Sequence, residues 1–250
     1  MNGVRCAVDG GVARITLARP EVSNSVDMAT ARAFGEAVDR AQDPSVRAVL
    51  ITGEGKRFCA GGDVASMAAA EDRSAYLNEL AAALGTELLR LAELDKPVVA
   101  AVHGAVAGAG LAFVLTADLV VAARSTKFLM AYSGVGLTPD CGVSYLLPRA
   151  VGQQRALEMA LLNRALTAAE AQEWGLVTQV VDDADAVARA EEVAARLAAG
   201  PAFALGQAKR LIRGSWTVTP QQSVAEEAAT IGRAVATDDA ARLIDAFLAR

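Results

Sequence analysis

Two stretches of this chain share one pattern: an apolar run, a turn of glycine and alanine, and a segment with helical spacing. In the first, residues 46–52 carry one charge, Arg47, and read as a buried strand; Ala60-Gly61-Gly62 make the turn, and a helix opens at Asp63. The second repeats the order with strand 98–102, a run holding Gly104, Gly108 and Gly110, and a helix over residues 109–116. A strand that leads through a tight turn into a helix, twice, asks for α/β layers with largely parallel pairing. Glycines at the turns let the backbone take positive φ and let a ligand approach bare amides. The first N–H groups of a helix have no partner inside it and lie at the positive end of its dipole. Two such turns can aim two donors at one oxygen that gains negative charge, which is an oxyanion hole.

The remaining chain fits that plan. Residues 4–8 and 12–17 flank Asp9-Gly10-Gly11, a hairpin signal, and Arg19-Pro20 ends the second strand. Asp27 is placed to cap a helix whose apolar face is Met28, Ala31, Phe34, Val38 and Ala41, and Asp43-Pro44 stops it. Residues 68–78, alanine-rich and charged, read as a mobile segment beside a pocket, overlapping the start of a long helix over 76–94. Short strands are expected at 119–122 and 128–130, and a lone apolar run at 177–181 reads as an edge strand. From Gly142 onward the pattern is nearly all helix, with capping boxes at Thr167 with Glu170 and at Thr219 with Gln222, Pro220 taking the first helical position. The last helices are expected over 184–198, 203–213, 221–236 and 239–249. Gly200-Pro201 divides a core, residues 1–199, from a helical module, residues 200–250.

Composition narrows the function. With 53% hydrophobic residues in 250, the chain can fill a sizeable core and still leave apolar helix faces for subunit contacts. A net charge of −5 and 4% aromatics argue against a nucleic-acid partner, which would want a basic face and stacking rings. One histidine excludes a multi-histidine metal site and argues against a Ser-His-Asp triad. Cys6, Cys59 and Cys141 show no paired spacing and read as reduced thiols. The N-terminal stretch lacks a basic-then-apolar signal pattern, and no apolar run approaches the roughly 20 residues that span a bilayer. A cytoplasmic enzyme with no membrane contact is the expectation. Gly108-Ala109-Gly110 begins like a dinucleotide fingerprint, but the third glycine and the later acidic residue are missing, and Gly53-Glu54-Gly55-Lys56 lacks the spacing of a phosphate loop.

Taken singly, each glycine turn is explained by close packing of helix on strand. Together, with Arg19-Pro20 and Asn24, Phe58-Cys59-Ala60-Gly61-Gly62-Asp63, His103-Gly104 through Gly110, Ala117-Asp118-Leu119, Pro139-Asp140-Cys141-Gly142 and Leu147-Pro148-Arg149-Ala150-Val151-Gly152, they carry a resemblance. The chain resembles the enoyl-CoA hydratase/isomerase, or crotonase, superfamily over essentially its whole length. The resemblance implies a spiral of ββα units with a C-terminal helical module that makes homotrimers or dimers of trimers. It implies an acyl-CoA thioester substrate and no metal or redox cofactor, coenzyme A being part of the substrate. It places the oxyanion-hole N–H groups on Gly62 and Ala109, and Val22, Ala60, Gly61, Asp63, Val64, Met67, Gly108, Ala112 and Tyr132 around the ester. Asp63 reads better as an N-cap fixing the helix behind the turn than as an acid. His103 reads as structural, and Cys59 and Cys141 as small apolar fillers.

Hydratases of this family deliver water with two glutamates. The positions where they fall are here Ala112 and Tyr132. Alanine moves no proton, and a phenol with pKa near 10 is a poor base at neutral pH. Asp140 follows Pro139, where isomerase branches of the family place an acid, and residues 128–142 are most similar to the branch that isomerises 3-enoyl-CoA esters and ring epoxides of phenylacetyl-CoA. The bland alternative for Asp140 is a turn residue between Pro139 and Gly142. The expectation is an enoyl-CoA isomerase with Asp140 as acid and base. A hydratase using another acid, such as Glu71 or Asp72, and a catalytically silent acyl-CoA-binding protein stand as alternatives.

Overall fold

The hairpin around Gly10 and Gly11 opens the fold of a computed structural model that describes residues 3–249; Met1, Asn2 and Arg250, at the ends of the two expected divisions, lie outside the described residues. β1 (Val4–Asp9) runs antiparallel to β2 (Val12–Leu17), and β3 (Ala48–Gly53) lies parallel to β2 with Ile51 opposite Ile15. β4 (Val98–Val102), β6 (Leu119–Ala123) and β9 (Gln179–Val181) extend the sheet in parallel, in the order β1-β2-β3-β4-β6-β9. β9 is an edge strand, as expected, and β3 begins two residues later than its apolar run.

β3 and β4 are apolar on both faces because both faces are covered. Val49, Ile51, Val98, Ala100 and Val102 join the main core, while Leu50, Val99 and Ala101 pack on the opposite side against Ala190 and Ala194 of α8 (Ala186–Ala198). In the main core sit α1 (Met28–Ala41), which buries Ala31, Phe34, Val38 and Ala41, and α4 (Ala109–Thr116), which is buried along its whole length. Asp27 caps α1 by accepting the Thr30 N–H at 2.7 Å.

The stretch 68–78 corrects the expectation of a mobile segment. α2 (Val64–Ala69) and α3 (Arg73–Glu93) leave only three residues between them, and Asp72 caps α3 by accepting the Ala75 N–H at 2.9 Å. Alanine-rich composition with interspersed charge is also what a half-exposed helix carries.

A second sheet, in the order β5-β7-β8, joins β5 (Ala105–Ala107) in parallel to β7 (Lys127–Leu129), which pairs antiparallel with β8 (Leu166–Thr167). β5 is not anticipated by the sequence, because three residues inside a glycine-rich run show no period. The chain leaves β4 for β5 at Gly104, where φ is +61° and a Cβ would stand 2.1 Å from the Lys56 carbonyl oxygen. β4-β5-α4 and β6-β7-α5, with α5 at Val143–Val151, each add one strand to each sheet and then a helix. That is the ββα spiral.

α6 (Gln153–Leu161) and α7 (Ala168–Glu173) follow, and then α9 (Ala202–Gly214), α10 (Pro220–Val235) and α11 (Asp238–Leu248) close the chain. Both expected capping boxes form with reciprocal bonds. α9 is pinned to the core by Asp118, which accepts from the Val98 N–H at 2.8 Å and meets Lys209 at 3.1 Å and Arg213 at 2.8 Å. An apolar cleft of about 1090 Å³ opens between α3, the end of α4, α9 and the turn at Cys141 and Gly142.

Candidate active site

The two glycine turns meet. The Phe58 N–H donates to the His103 carbonyl at 2.9 Å, the Cys59 N–H to Ala105 at 3.2 Å, and the Ala107 N–H returns to Cys59 at 3.0 Å. This short ladder draws the chain ahead of Gly61 along β5 to the start of α4. A Cβ on Gly61 (φ +108°) would stand 3.2 Å from the Ala107 oxygen, and one on Gly108 (φ +51°) 3.4 Å from the Gly61 Cα. Gly110 is tighter, with a Cβ position 2.4 Å from the Cys59 oxygen. Side chains at these positions would hold the turns apart or forbid their backbone angles.

Around that contact the N–H groups of Gly61, Gly62, Ala109 and Gly110 have no acceptor among the described residues. The Ala60 N–H is spent on Ser23 at 3.0 Å and the Asp63 N–H on Val26 at 2.8 Å, while the Gly61 carbonyl accepts from Val26 at 2.8 Å. The N–H of Gly62 and that of Ala109, the first residue of α4, have no acceptor among the described residues. A Cβ on Gly62 would meet nothing within 4 Å, so open space lies beside that turn. Of these four, the Gly62 and Ala109 amides, each one residue past a touching glycine, are the pair that the sequence resemblance expects on one oxygen atom.

Asp63 holds the first turn in place. Its carboxylate caps α2 by accepting the Ser66 N–H at 3.1 Å and pairs with Arg19 at 3.0 Å. Arg19 also reaches Asp27 at 3.0 Å and the Ser25 carbonyl at 2.8 Å, so one guanidinium ties together the caps of α1 and α2. Burial alone would raise the Asp63 pKa, but the Ser66 N–H and Arg19 outweigh it and hold the carboxyl below the usual aspartate range. A carboxylate so engaged is an anchor and a poor proton donor, in line with its N-cap reading. Around the turn, Val22 and Val64 leave apolar side chains exposed, at 38% and 52%, and Met67 is half-buried.

The candidate acid, Asp140, lies on the loop between β7 and α5. The Gly108 N–H donates to Leu129, the last residue of β7, at 3.3 Å. Three residues on, Tyr132 opens a 3-10 turn between two left-handed residues, Ala131 (φ +64°) and Gly136 (φ +72°), and Asn163 accepts the Ala131 N–H at 3.1 Å. The Tyr132 hydroxyl donates to Oδ1 of Asp140 at 2.7 Å. Asp140 is followed by two left-handed residues, Cys141 (φ +48°) and Gly142 (φ +81°), which swing the chain into α5, and its carbonyl accepts from Val143 at 3.0 Å. Burial, and next the Asp140 charge, push the Tyr132 phenol and the Cys141 thiol above their ordinary pKa values. Both are therefore neutral at physiological pH, and the phenol stays a donor.

Ala112 is fully buried within α4. Asp72 is engaged as the cap of α3, and Glu71 is exposed beside it. His103 makes a 3.0 Å hydrogen bond between Nε2 and the Gly55 carbonyl oxygen. Cys59 is buried, with its thiol pushed up to about 12. Among the described residues no three His, Cys, Asp or Glu side chains gather where they could hold a metal ion. No helix among them is long and apolar enough to cross a membrane. Sequence reading missed the contact between Tyr132 and Asp140 and the bridging role of Arg19. The available signal for the first was two left-handed turns, at Gly136 and Gly142, folding the intervening loop back on itself.

Comparison with known proteins agrees with this fold. A family model described as enoyl-CoA hydratase/isomerase matches residues 7–250. The 1,2-epoxyphenylacetyl-CoA isomerase of Escherichia coli (strain K12) is 41% identical over 228 residues, covering 88% of this chain and 85% of the relative. A 4-chlorobenzoyl coenzyme A dehalogenase of an Arthrobacter species is 37% identical, covering 81% and 75%. The crystal structure of an enoyl-CoA hydratase from Polaromonas sp. JS666 superposes with a TM-score of 0.93 at 34% identity, covering 98% of this chain and 96% of that one. With the fold, the paired turns and these likenesses in hand, the chain belongs to the enoyl-CoA hydratase/isomerase, or crotonase, family of enzymes that transform acyl-CoA thioesters.

Proposed function

We propose that the protein moves the double bond of a 3-enoyl-CoA into conjugation with its thioester, with Asp140 as the single acid–base and the Gly62 and Ala109 amides as the oxyanion hole. The observation that carries this reading is the Asp140 carboxylate, held by Tyr132 at 2.7 Å on the loop after β7, while the position of a second acid on α4 is a buried alanine. The thioester oxygen accepts from Gly62 and Ala109. Asp140 takes a proton from C2; the C2–H bond breaks and its electron pair spreads into a dienolate whose charge rests on that oxygen. The same proton returns to C4, the C3–C4 double bond becomes C2–C3, and Asp140 ends as it began. One carboxylate suffices because the step has no net proton change, and no metal or redox cofactor enters it. Hydration would need one group to deliver water and another to protonate carbon, and Ala112 and a neutral Tyr132 are ill suited to that.

Val22, Val64 and Met67, with the turn residues Ala60, Gly61, Asp63 and Gly108, are the proposed bed of the coenzyme A portion. Val22 and Val64 are exposed apolar side chains, Val64 just after the first turn in sequence and Val22 next to Ser23, whose carbonyl accepts the Ala60 N–H. The exposed apolar side chains of α10 and α11, among them Val224, Ile231, Phe247 and Leu248, favour burial against other copies in a homotrimer or a dimer of trimers.

Separate incubation with a 2-enoyl-CoA and a 3-enoyl-CoA, with products followed by mass and absorbance, tests the reaction. Isomerisation of the 3-enoyl ester leaves its mass unchanged and creates the conjugated absorbance. Addition of one water to the 2-enoyl ester at a comparable rate would instead make the protein a hydratase, and no change in either a silent binder.

A further inference from the structure

The hydroxyl of Tyr132 makes one hydrogen bond, to Oδ1 of Asp140, and the turn that carries it is fixed at both ends. Asn163 holds the Ala131 N–H, and the Leu137 N–H closes the turn on the Tyr132 carbonyl at 3.0 Å. The Asp140 backbone is fixed in its turn by Cys141, Gly142 and the bond from Val143. What remains free at Asp140 is rotation of the carboxylate about its last bond, a soft torsion with two near-equivalent settings. The phenol removes that freedom. Because it is neutral and a donor, it occupies Oδ1; the Cys141 thiol, a weaker donor, also hydrogen-bonds the carboxylate, and Oδ2 is left without an O–H or N–H donor among the described residues.

We infer that Tyr132 is a positioning residue that locks the Asp140 carboxylate so that a single oxygen, Oδ2, carries the proton from C2 to C4. The inference rests on the reading of Asp140 as the base. With Oδ1 engaged, the proton taken from C2 stays on the oxygen that faces the dienolate and is returned before water exchanges it. Without the phenol the carboxyl turns, the proton can pass to the other oxygen and to solvent, and the base is less well aimed at either carbon.

The test uses 3-hexenoyl-CoA carrying deuterium at both C2 positions, in ordinary water, with the intact enzyme, Tyr132→Phe and Asp140→Asn. Internal transfer breaks one C2–D bond and makes one C4–D bond, so the product keeps both deuterons; exchange with water loses one. The parent product should retain most of the transferred label. In Tyr132→Phe, kcat should fall by roughly 10- to 100-fold, as for a catalytic group left poorly aimed, with KM within about twofold of the parent and the retained label clearly reduced. Melting followed by circular dichroism checks that the variant is folded, and rates are taken per folded molecule. A purely structural tyrosine would lower the melting temperature and leave label retention untouched, which overturns the inference. So would a parent enzyme that retains no label. Parental turnover by Asp140→Asn would instead remove the base itself. An inactive Asp140→Asn beside a Tyr132→Phe with parental rate and label would remove only the positioning role.

Discussion

Replacing Asp140 by asparagine takes away a proton acceptor and almost nothing else. The amide oxygen of asparagine can occupy the Oδ1 site and keep accepting from Tyr132, so the 2.7 Å contact survives in weaker form. A hydrogen bond to a charged group contributes about 1.5–3 kcal/mol and a neutral one about 0.5–1.5. The stability loss should therefore be about 1 kcal/mol, or roughly 2–4 °C in melting temperature for a chain of this size. The backbone bond from Val143 and the left-handed pair Cys141 and Gly142 are unaffected. The catalytic loss should be far larger, roughly 10²–10⁴ in kcat, as for removal of a general base. Acyl-CoA binding should persist, because the Gly62 and Ala109 amides belong to other turns. Asp140→Ala makes the contrast. It leaves the half-buried Tyr132 hydroxyl without its acceptor, costs about 1–3 kcal/mol, and should match Asp140→Asn in rate while melting lower. The assay is the rise in conjugated absorbance from a 3-enoyl-CoA, normalised to folded protein. If Asp140→Asn isomerises at near the parental rate, the base lies elsewhere and the one-carboxylate mechanism is wrong.

Gly62→Pro should lose about 10²–10³ in kcat, or roughly 2.7–4 kcal/mol of transition-state stabilisation, since that N–H has no acceptor among the described residues to forfeit; circular dichroism checks that the ring leaves the turn intact, and normal turnover by a folded variant rules this amide out as a donor. Gly110→Ala should instead fail to fold or melt far below the parent, since its Cβ would stand 2.4 Å from the Cys59 carbonyl oxygen, and an unchanged melting curve would contradict the packing of the two turns. Asp63 has a depressed folded pKa, so the stability it contributes is present above the unfolded aspartate value and is lost as pH falls through the folded one. Urea unfolding should therefore show Asp63→Asn weaker than the parent at neutral pH and the gap closing in acid; a gap that widens in acid contradicts the sign. Light scattering at micromolar concentration should find a trimer or hexamer, given Ile231, Phe247 and Leu248 at 71%, 73% and 77% exposure in the single chain, and a monomer refutes the proposed assembly.

Much of this protein was legible locally. Asp27, Thr167 and Thr219 announce their helices because a cap depends on residues three positions away, and each forms the bond its sequence implies. The glycine turns were visible for the same reason: a need for positive φ at Gly61 and Gly108 belongs to one residue and its neighbours. The absence of an acid at Ala112 and the presence of one at Asp140 could also be read directly. Tertiary structure decided what those residues meet. Arg19 reaches Asp63 across 44 positions, Arg213 reaches Asp118 across 95, and β5 exists because β7 lies beside it. Composition could not separate a mobile stretch at residues 68–78 from two capped helices, since both tolerate alanine and charge. The phenol of Tyr132 counted in sequence as a poor base. Only the fold turned it toward Asp140, because hydrogen bonds between side chains depend on where two backbones come to rest, and no local pattern encodes that.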